Sequence, residues 1–319
     1  MIKLSPNFLL KEYKRYVVYF SFFLILIFFS ITLSGRGFLS PSNLMNILRQ
    51  TAMVSIMAVG MTFTLTAGEI DLSIGSLVAL AALVTGVILN KFNNIPLAIF
   101  AGLGTGAIAG FLNGIITTKA RIPAFLVTLG TSGIISGLGR SITDLESVPI
   151  INKSYNFIFG SGNVGPISTL FIWTIIIMII GHLLLKNTPF GMAVLATGGN
   201  RSAAKYSGIR TDYIRIAVLM MSSVTAAFAG ILYAGRLHGA RYTLGESDLM
   251  TVIAAVIIGG TSFSGGRGSV IGAIIGSIIM GMMNNGLLLM GLDVSEQMIA
   301  RGVIIIIAVS LSLREQVDS

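Results

Sequence analysis

Two carboxylates, Glu69 and Asp71, interrupt an otherwise apolar stretch, Gly68-Glu69-Ile70-Asp71-Leu72-Ser73-Ile74-Gly75-Ser76. Their alternation with Ile70 and Leu72 predicts an irregular backbone with both carboxylates turned one way. At membrane depth such backbone survives only inside protein or beside a cavity, and acids there serve proton relays, ion sites or substrate contacts. The competing reading is a tight turn at the membrane surface, with Asp71 or Ser73 capping a helix that starts near Ile74. Both readings stand on the residues alone. Gly68, Glu69, Asp71, Ser73 and Gly75 are thus candidates for a transport pathway or a re-entrant turn.

Other chemistry is sparse. Cysteine is absent, which excludes disulfides, thiolate catalysis and Cys-based metal sites. His182 and His238 are the two histidines, and both read as interfacial or solvated. Gly260-Thr261-Ser262-Phe263-Ser264-Gly265 has phosphate-loop spacing, but Gly266-Arg267 follows where Lys-Ser/Thr is needed. Gly104, Gly106 and Ala109 imitate a dinucleotide fingerprint inside an apolar run with no strand before it. No nucleophile elbow or His-Glu-x-x-His is present. The chain is expected to be no enzyme, with no cofactor and no metal.

A second polar segment lies at 186–213. There Asn200 or Ser202 suits a helix N-cap, Ala203-Ala204 are strong helix formers, and Gly208 suits the helix end. A short helix bracketed by glycines is shaped to dock into a groove; the alternative is an ordinary interfacial loop helix, against which the lack of Trp, Phe and Leu anchors counts.

These segments must be carried by membrane spans. Hydrophobic residues make up 54% of the 319 and charged ones only 10%, with a mean hydropathy of +0.89. Soluble domains carry about a quarter charged residues, so this is a polytopic all-α membrane protein of eight to ten spans. Ten apolar segments run over 16–33, 51–67, 73–89, 95–117, 123–139, 167–185, 214–234, 249–262, 269–290 and 297–313. The stretch after Arg15 is too long for a cleavable signal, so the chain is expected to keep its N-terminus. Gly102, Gly106, Gly110 and Gly114, and later Gly268, Gly272 and Gly276, recur every four residues, the spacing of close helix packing.

The net charge of +9 is scattered between apolar runs rather than striped, which speaks against nucleic acid. With the N-terminal segment 1–15 in the cytoplasm, alternation through ten spans puts 13 Lys/Arg inside and eight outside. That bias predicts both termini inside and a basic cytoplasmic loop at 186–213.

At this point four motifs resemble those of permease subunits from ribose-type ABC (ATP-binding-cassette) sugar importers. They are Gly60-Met61-Thr62 with Ala67–Ser76; Arg121-Ile122-Pro123-Ala124-Phe125-Leu126-Val127-Thr128-Leu129-Gly130-Thr131; Gly199-Asn200 with Ala203-Ala204 and Ser207-Gly208-Ile209; and Gly259-Gly260-Thr261-Ser262 with Gly265-Gly266-x-Gly268-Ser269. Related permeases often read Gly-Gly-Ile-Asp-Leu-Ser where this chain has Gly68-Glu69.

The resemblance implies one transmembrane permease domain over 1–319 in the bilayer of the plasma (cell inner) membrane. It implies an ATP-binding subunit on the cytoplasmic face, an extracytoplasmic solute-binding protein, and a second permease subunit, identical or sister. Gly199, Asn200, Ala203, Ala204, Ser207 and Gly208 would form the coupling helix, and Gly259, Gly260, Gly265, Gly266 and Gly268 a glycine-rich turn. The substrate implied is a pentose, a hexose or a sugar-like signalling molecule; a related branch carries branched-chain amino acids. The alternative from another class is an ion-coupled secondary transporter using Glu69 and Asp71.

Overall fold

A computed structural model describes residues 6–293, 295–300, 302, 303 and 306. Its helices are α1 (Pro6–Thr32), α2 (Pro41–Thr66), α3 (Ile74–Phe92), α4 (Ile95–Lys119), α5 (Ala124–Ile142), α6 (Lys153–Asn156), α7 (Thr169–Asn187), α8 (Pro189–Gly199), α9 (Arg201–Tyr206), α10 (Thr211–Leu237), α11 (Asp248–Ile258) and α12 (Val270–Met290). Three helices open on the same local signal. The side chains of Ser40, Asn94 and Thr188 each accept from a backbone N–H three residues on, and a proline occupies the first turn.

The helices form a bundle with α2, α3, α10 and α12 at its centre, where most side chains are buried. Around them α4, α5 and α7 turn Phe100, Ile108, Leu129, Ile134 and Ile180 outward. A ring of large apolar side chains is a surface for lipid, not water.

Seven helices among the described residues are long and apolar enough to cross a membrane: α2, α3, α4, α5, α7, α10 and α12. They match seven of the ten expected segments. The segment expected at 16–33 lies in α1, whose apolar described part is Val18–Thr32. The one at 249–262 is α11, which has 11 residues, about 17 Å of helix against a hydrocarbon core of about 30 Å. The segment expected at 297–313 lies largely outside the described residues, as do 1–5 of the N-terminal segment. The 186–213 stretch differs from the loop expected, since Thr188 and Pro189 start a full helix, α8, ahead of α9.

Two ends of the bundle can be told apart by contact. At one, Arg36 Nη1 donates to Leu289 O at 2.6 Å, Asn90 Nδ2 to Pro149 O at 2.8 Å and Asn152 Nδ2 to Asn93 Oδ1 at 2.9 Å. A small antiparallel pair, Val148–Pro149 with Gly239–Ala240, closes over it. At the other end the C-terminus of α2, the α4–α5 turn, α8, α9 and the 259–269 turn gather. That second end holds Gly68, Glu69, α9 and the glycine-rich turn.

Candidate functional site

The break between α2 and α3 is built from a helix stop. Gly68 has φ +76°, a left-handed conformation that strains any residue with a Cβ. Its N–H donates to Leu65 O at 2.9 Å, and Glu69 N–H reaches back to Thr64 O at 2.9 Å. This pair of bonds satisfies the last carbonyls of α2 and turns the chain out of the helix. Seven residues, 67–73, then run without regular structure before α3 begins.

That segment climbs alongside α10. Glu69 lies opposite Arg215 in the first turns of α10, and Asp71 opposite Ser223. Those two α10 residues are eight apart, about 12 Å of helix rise. Both carboxylates therefore face α10, Glu69 at the end of the bundle and Asp71 deeper. Glu69 is 4% exposed and Asp71 0%. The geometry is irregular backbone buried in protein rather than a turn on the surface.

Each acid has a defined set of donors. Glu69 Oε1 accepts from Arg201 Nη2 and from Arg215 Nε, both at 2.5 Å. Arg215 is buried and Arg201 half-exposed. Asp71 Oδ1 accepts from Ser73 N–H at 3.0 Å and Ser73 Oγ at 2.6 Å, and Ser223 Oγ lies 3.4 Å from Oδ2. Asn113 Nδ2 on α4 donates to Ser73 Oγ at 3.2 Å, and Thr128 Oγ1 on α5 accepts from Leu72 N–H at 3.0 Å. Ser73 precedes α3 but makes no side-chain cap to it; its hydroxyl is turned to Asp71 instead. Gly75 packs so tightly that a Cβ there would meet Gly245 O at 2.9 Å.

The glycine-rich turn locks against the same place. Gly266 N–H donates to Thr66 O at 2.9 Å. A Cβ on Gly265 would meet Gly198 O at 2.7 Å, one on Gly266 would meet Gly199 Cα at 2.9 Å, and one on Gly268 would strike Thr66 Oγ1. Gly259 backs onto Gly272 of α12, and Gly260, with φ +84°, ends α11. The ends of α2 and α8 thus meet the 259–269 turn through glycine backbones, and a Cβ at 198, 265, 266 or 268 has no room.

Beside them α9 stands out from the bundle. Asn200 Oδ1 accepts from Ala203 N–H at 3.0 Å and starts the helix. Gly208, with φ +86°, ends it, donating to Lys205 O while Ile209 donates to Ala204 O, both at 3.0 Å. Gly199, Asn200, Ala203, Ser207 and Gly208 are exposed. Ala204 is 5% exposed, so it faces the bundle instead. Tyr206 is 93% exposed, an aromatic ring in the open that sequence reasoning passed over. A cleft of about 530 Å³ runs from Glu69 past Arg121, Arg201, Lys205 and Arg215.

Of the remaining candidates, exposed His238 meets Ser161 Oγ at 3.1 Å. Among the described residues no group of three His, Asp or Glu comes together as a metal site would need. Arg201 and Arg215 were missed as site residues. The one signal that pointed to them is charge: a buried glutamate in an apolar chain requires a cation.

Residues 43–309 match the model of a family described as branched-chain amino acid transport system, permease component. The chain is 38% identical to the ribose import permease protein of Bacillus subtilis (strain 168) over 287 residues, 89% of each chain. It is 37% identical over 296 residues to the ribose import permease protein of Escherichia coli (strain K12), 92% of each. It is 33% identical over 297 residues to the D-allose transport system permease protein of the same strain, 92% of this chain and 90% of that one. No solved structure matches the chain.

Proposed function

The chain belongs to the permease-component family of branched-chain amino acid transport systems, and on that premise we propose that it is the membrane-spanning subunit of an ATP-driven importer of a simple sugar. It is a transporter component and not an enzyme, and a multi-pass protein of the inner membrane. The observation that carries the sugar reading is identity of 33–38% across about nine-tenths of the chain to permeases named for ribose and allose. A pentose, a hexose or a sugar-like signalling molecule is the substrate class.

The energy comes from an ATP-binding subunit on the cytoplasmic face, and an extracytoplasmic solute-binding protein delivers the sugar. A second permease subunit completes the pore. In this reading 1–319 is one transmembrane domain of ten crossings with both termini cytoplasmic, one crossing being shared between α11 and the irregular stretch 241–247 before it, and α9 is the helix that meets the ATP-binding subunit. The exposure of Ala203, Tyr206 and Ser207 supports that contact. Pairing of Glu69 with two arginines and burial of Asp71 among hydroxyls support structural or pathway-lining roles over proton carriage.

Uptake of labelled ribose, allose, galactose and leucine by the chain reconstituted with its ATP-binding and solute-binding partners tests the substrate class. A sugar is expected to accumulate and leucine is not. Leucine accumulation with none of the sugars would return the branched-chain amino acid reading.

A further inference from the structure

The junction between α9 and the interrupted segment 67–73 is made by one carboxylate. Arg201 is the first residue of α9, and its guanidinium reaches Glu69 Oε1 at 2.5 Å. Among the described residues no backbone hydrogen bond joins α9 to 67–73; α9 packs on α8 and α10 instead. The same Glu69 oxygen also holds Arg215 of α10 at 2.5 Å.

The two pairs differ in how easily they break. Arg215 is almost wholly buried with Glu69, so separating them would leave two charges in a poorly solvated site, a heavy cost. Arg201 is half-exposed and water can take over its partner's role. With Arg215 in place, Glu69 stays neutralised whether Arg201 is engaged or released. The arrangement is a permanent pair with a detachable second cation.

We propose that Glu69 is a positioning residue that clasps the interrupted segment to α9. Movement of α9 is thereby carried to Asp71, two residues on, and into the middle of the bundle. The inference rests on α9 being the contact with the ATP-binding subunit.

The test uses the full complex in proteoliposomes, with Arg201→Met, Arg201→Lys, Glu69→Gln and the Glu69→Gln/Arg201→Met double variant. Three quantities are read: ATP-binding subunit retained on purification, ATP hydrolysed, and sugar moved per ATP. Arg201→Met is expected to accumulate and retain the ATP-binding subunit normally. Its sugar moved per ATP is expected to fall a few-fold, up to about fivefold, the scale of a half-exposed ion pair. Arg201→Lys should recover most of that loss, and the double variant should fall no further than the lower single one. A purely structural role would lower abundance and leave sugar per ATP unchanged.

Parental sugar per ATP in Arg201→Met, or losses that multiply in the double variant, would overturn the clasp. Loss of the ATP-binding subunit from Arg201→Met would also overturn it, by making Arg201 a docking residue. Should Glu69→Gln fail to accumulate, the Arg201→Met and Arg201→Lys pair decides alone. Failure of the α9 reading itself shows elsewhere, as undiminished retention of the ATP-binding subunit when Ala203 is replaced by tryptophan.

Discussion

Gly104 and Gly106 stand two residues apart on α4, and their surroundings are opposite. A Cβ on Gly106 would meet Ala227 Cβ and Ser223 O of α10, both at 2.7 Å, while one on Gly104 would meet nothing within 4 Å. Leucine at 106 must therefore push α4 away from α10, an overpacking cost of about 1–3 kcal/mol. Gly106→Leu is expected to lower the melting temperature and yield in detergent, whereas Gly104→Leu leaves both near the parent. Equal behaviour of the two variants would contradict the helix contact. Asp71 makes a similar contrast among polar groups. Its two short bonds to Ser73 are lost in Asp71→Ala, leaving a buried N–H and hydroxyl without an acceptor, about 1–3 kcal/mol each. Ser223→Ala removes only the 3.4 Å contact and should cost far less. Thermal melts of the two purified variants check the order.

At the scale of the element, α9 and the α2 stop were legible because their signals are local. Asn200 three residues before Ala203 and Gly208 past the helix end are cap chemistry, readable in any context. The inward turn of Ala204 was not readable, since a six-residue helix has no apolar period to show which face is buried. That orientation changes the probes of the contact proposed between α9 and the ATP-binding subunit. Ala203→Trp and Tyr206→Ala alter the exposed face, so the protein should accumulate normally and retain less ATP-binding subunit. Interface anchors cost a few kcal/mol when lost, so at least a tenfold drop in retention is expected. Ala204→Trp should fail differently, through low abundance, because the ring has no room against the bundle. The partners of Glu69 were illegible for another reason. Arg201 and Arg215 lie 132 and 146 residues away in sequence, and no local rule links positions so distant.

For the molecule as a whole, the hydropathy pattern located seven spanning helices, because a continuous apolar run needs no tertiary information to be seen. It could not show that α11 is a half-length helix, since burial inside protein and burial in lipid select the same residues. Nor could it foresee that glycine-bearing turns far apart in the chain close on one another at Thr66, Gly198 and Gly266. The absence of cysteine offers a clean background for orientation. Ser207→Cys is expected to react with an impermeant maleimide only from the cytoplasmic side, and Ser42→Cys only from the opposite side. The proposed function has this bundle moved by ATP and carrying no ions of its own. Its most direct test is sugar accumulation by the reconstituted complex with internal ATP held constant and the proton gradient collapsed. Undiminished accumulation that stops when ATP is withdrawn is the predicted result; accumulation that stops with the gradient while ATP is present would contradict it.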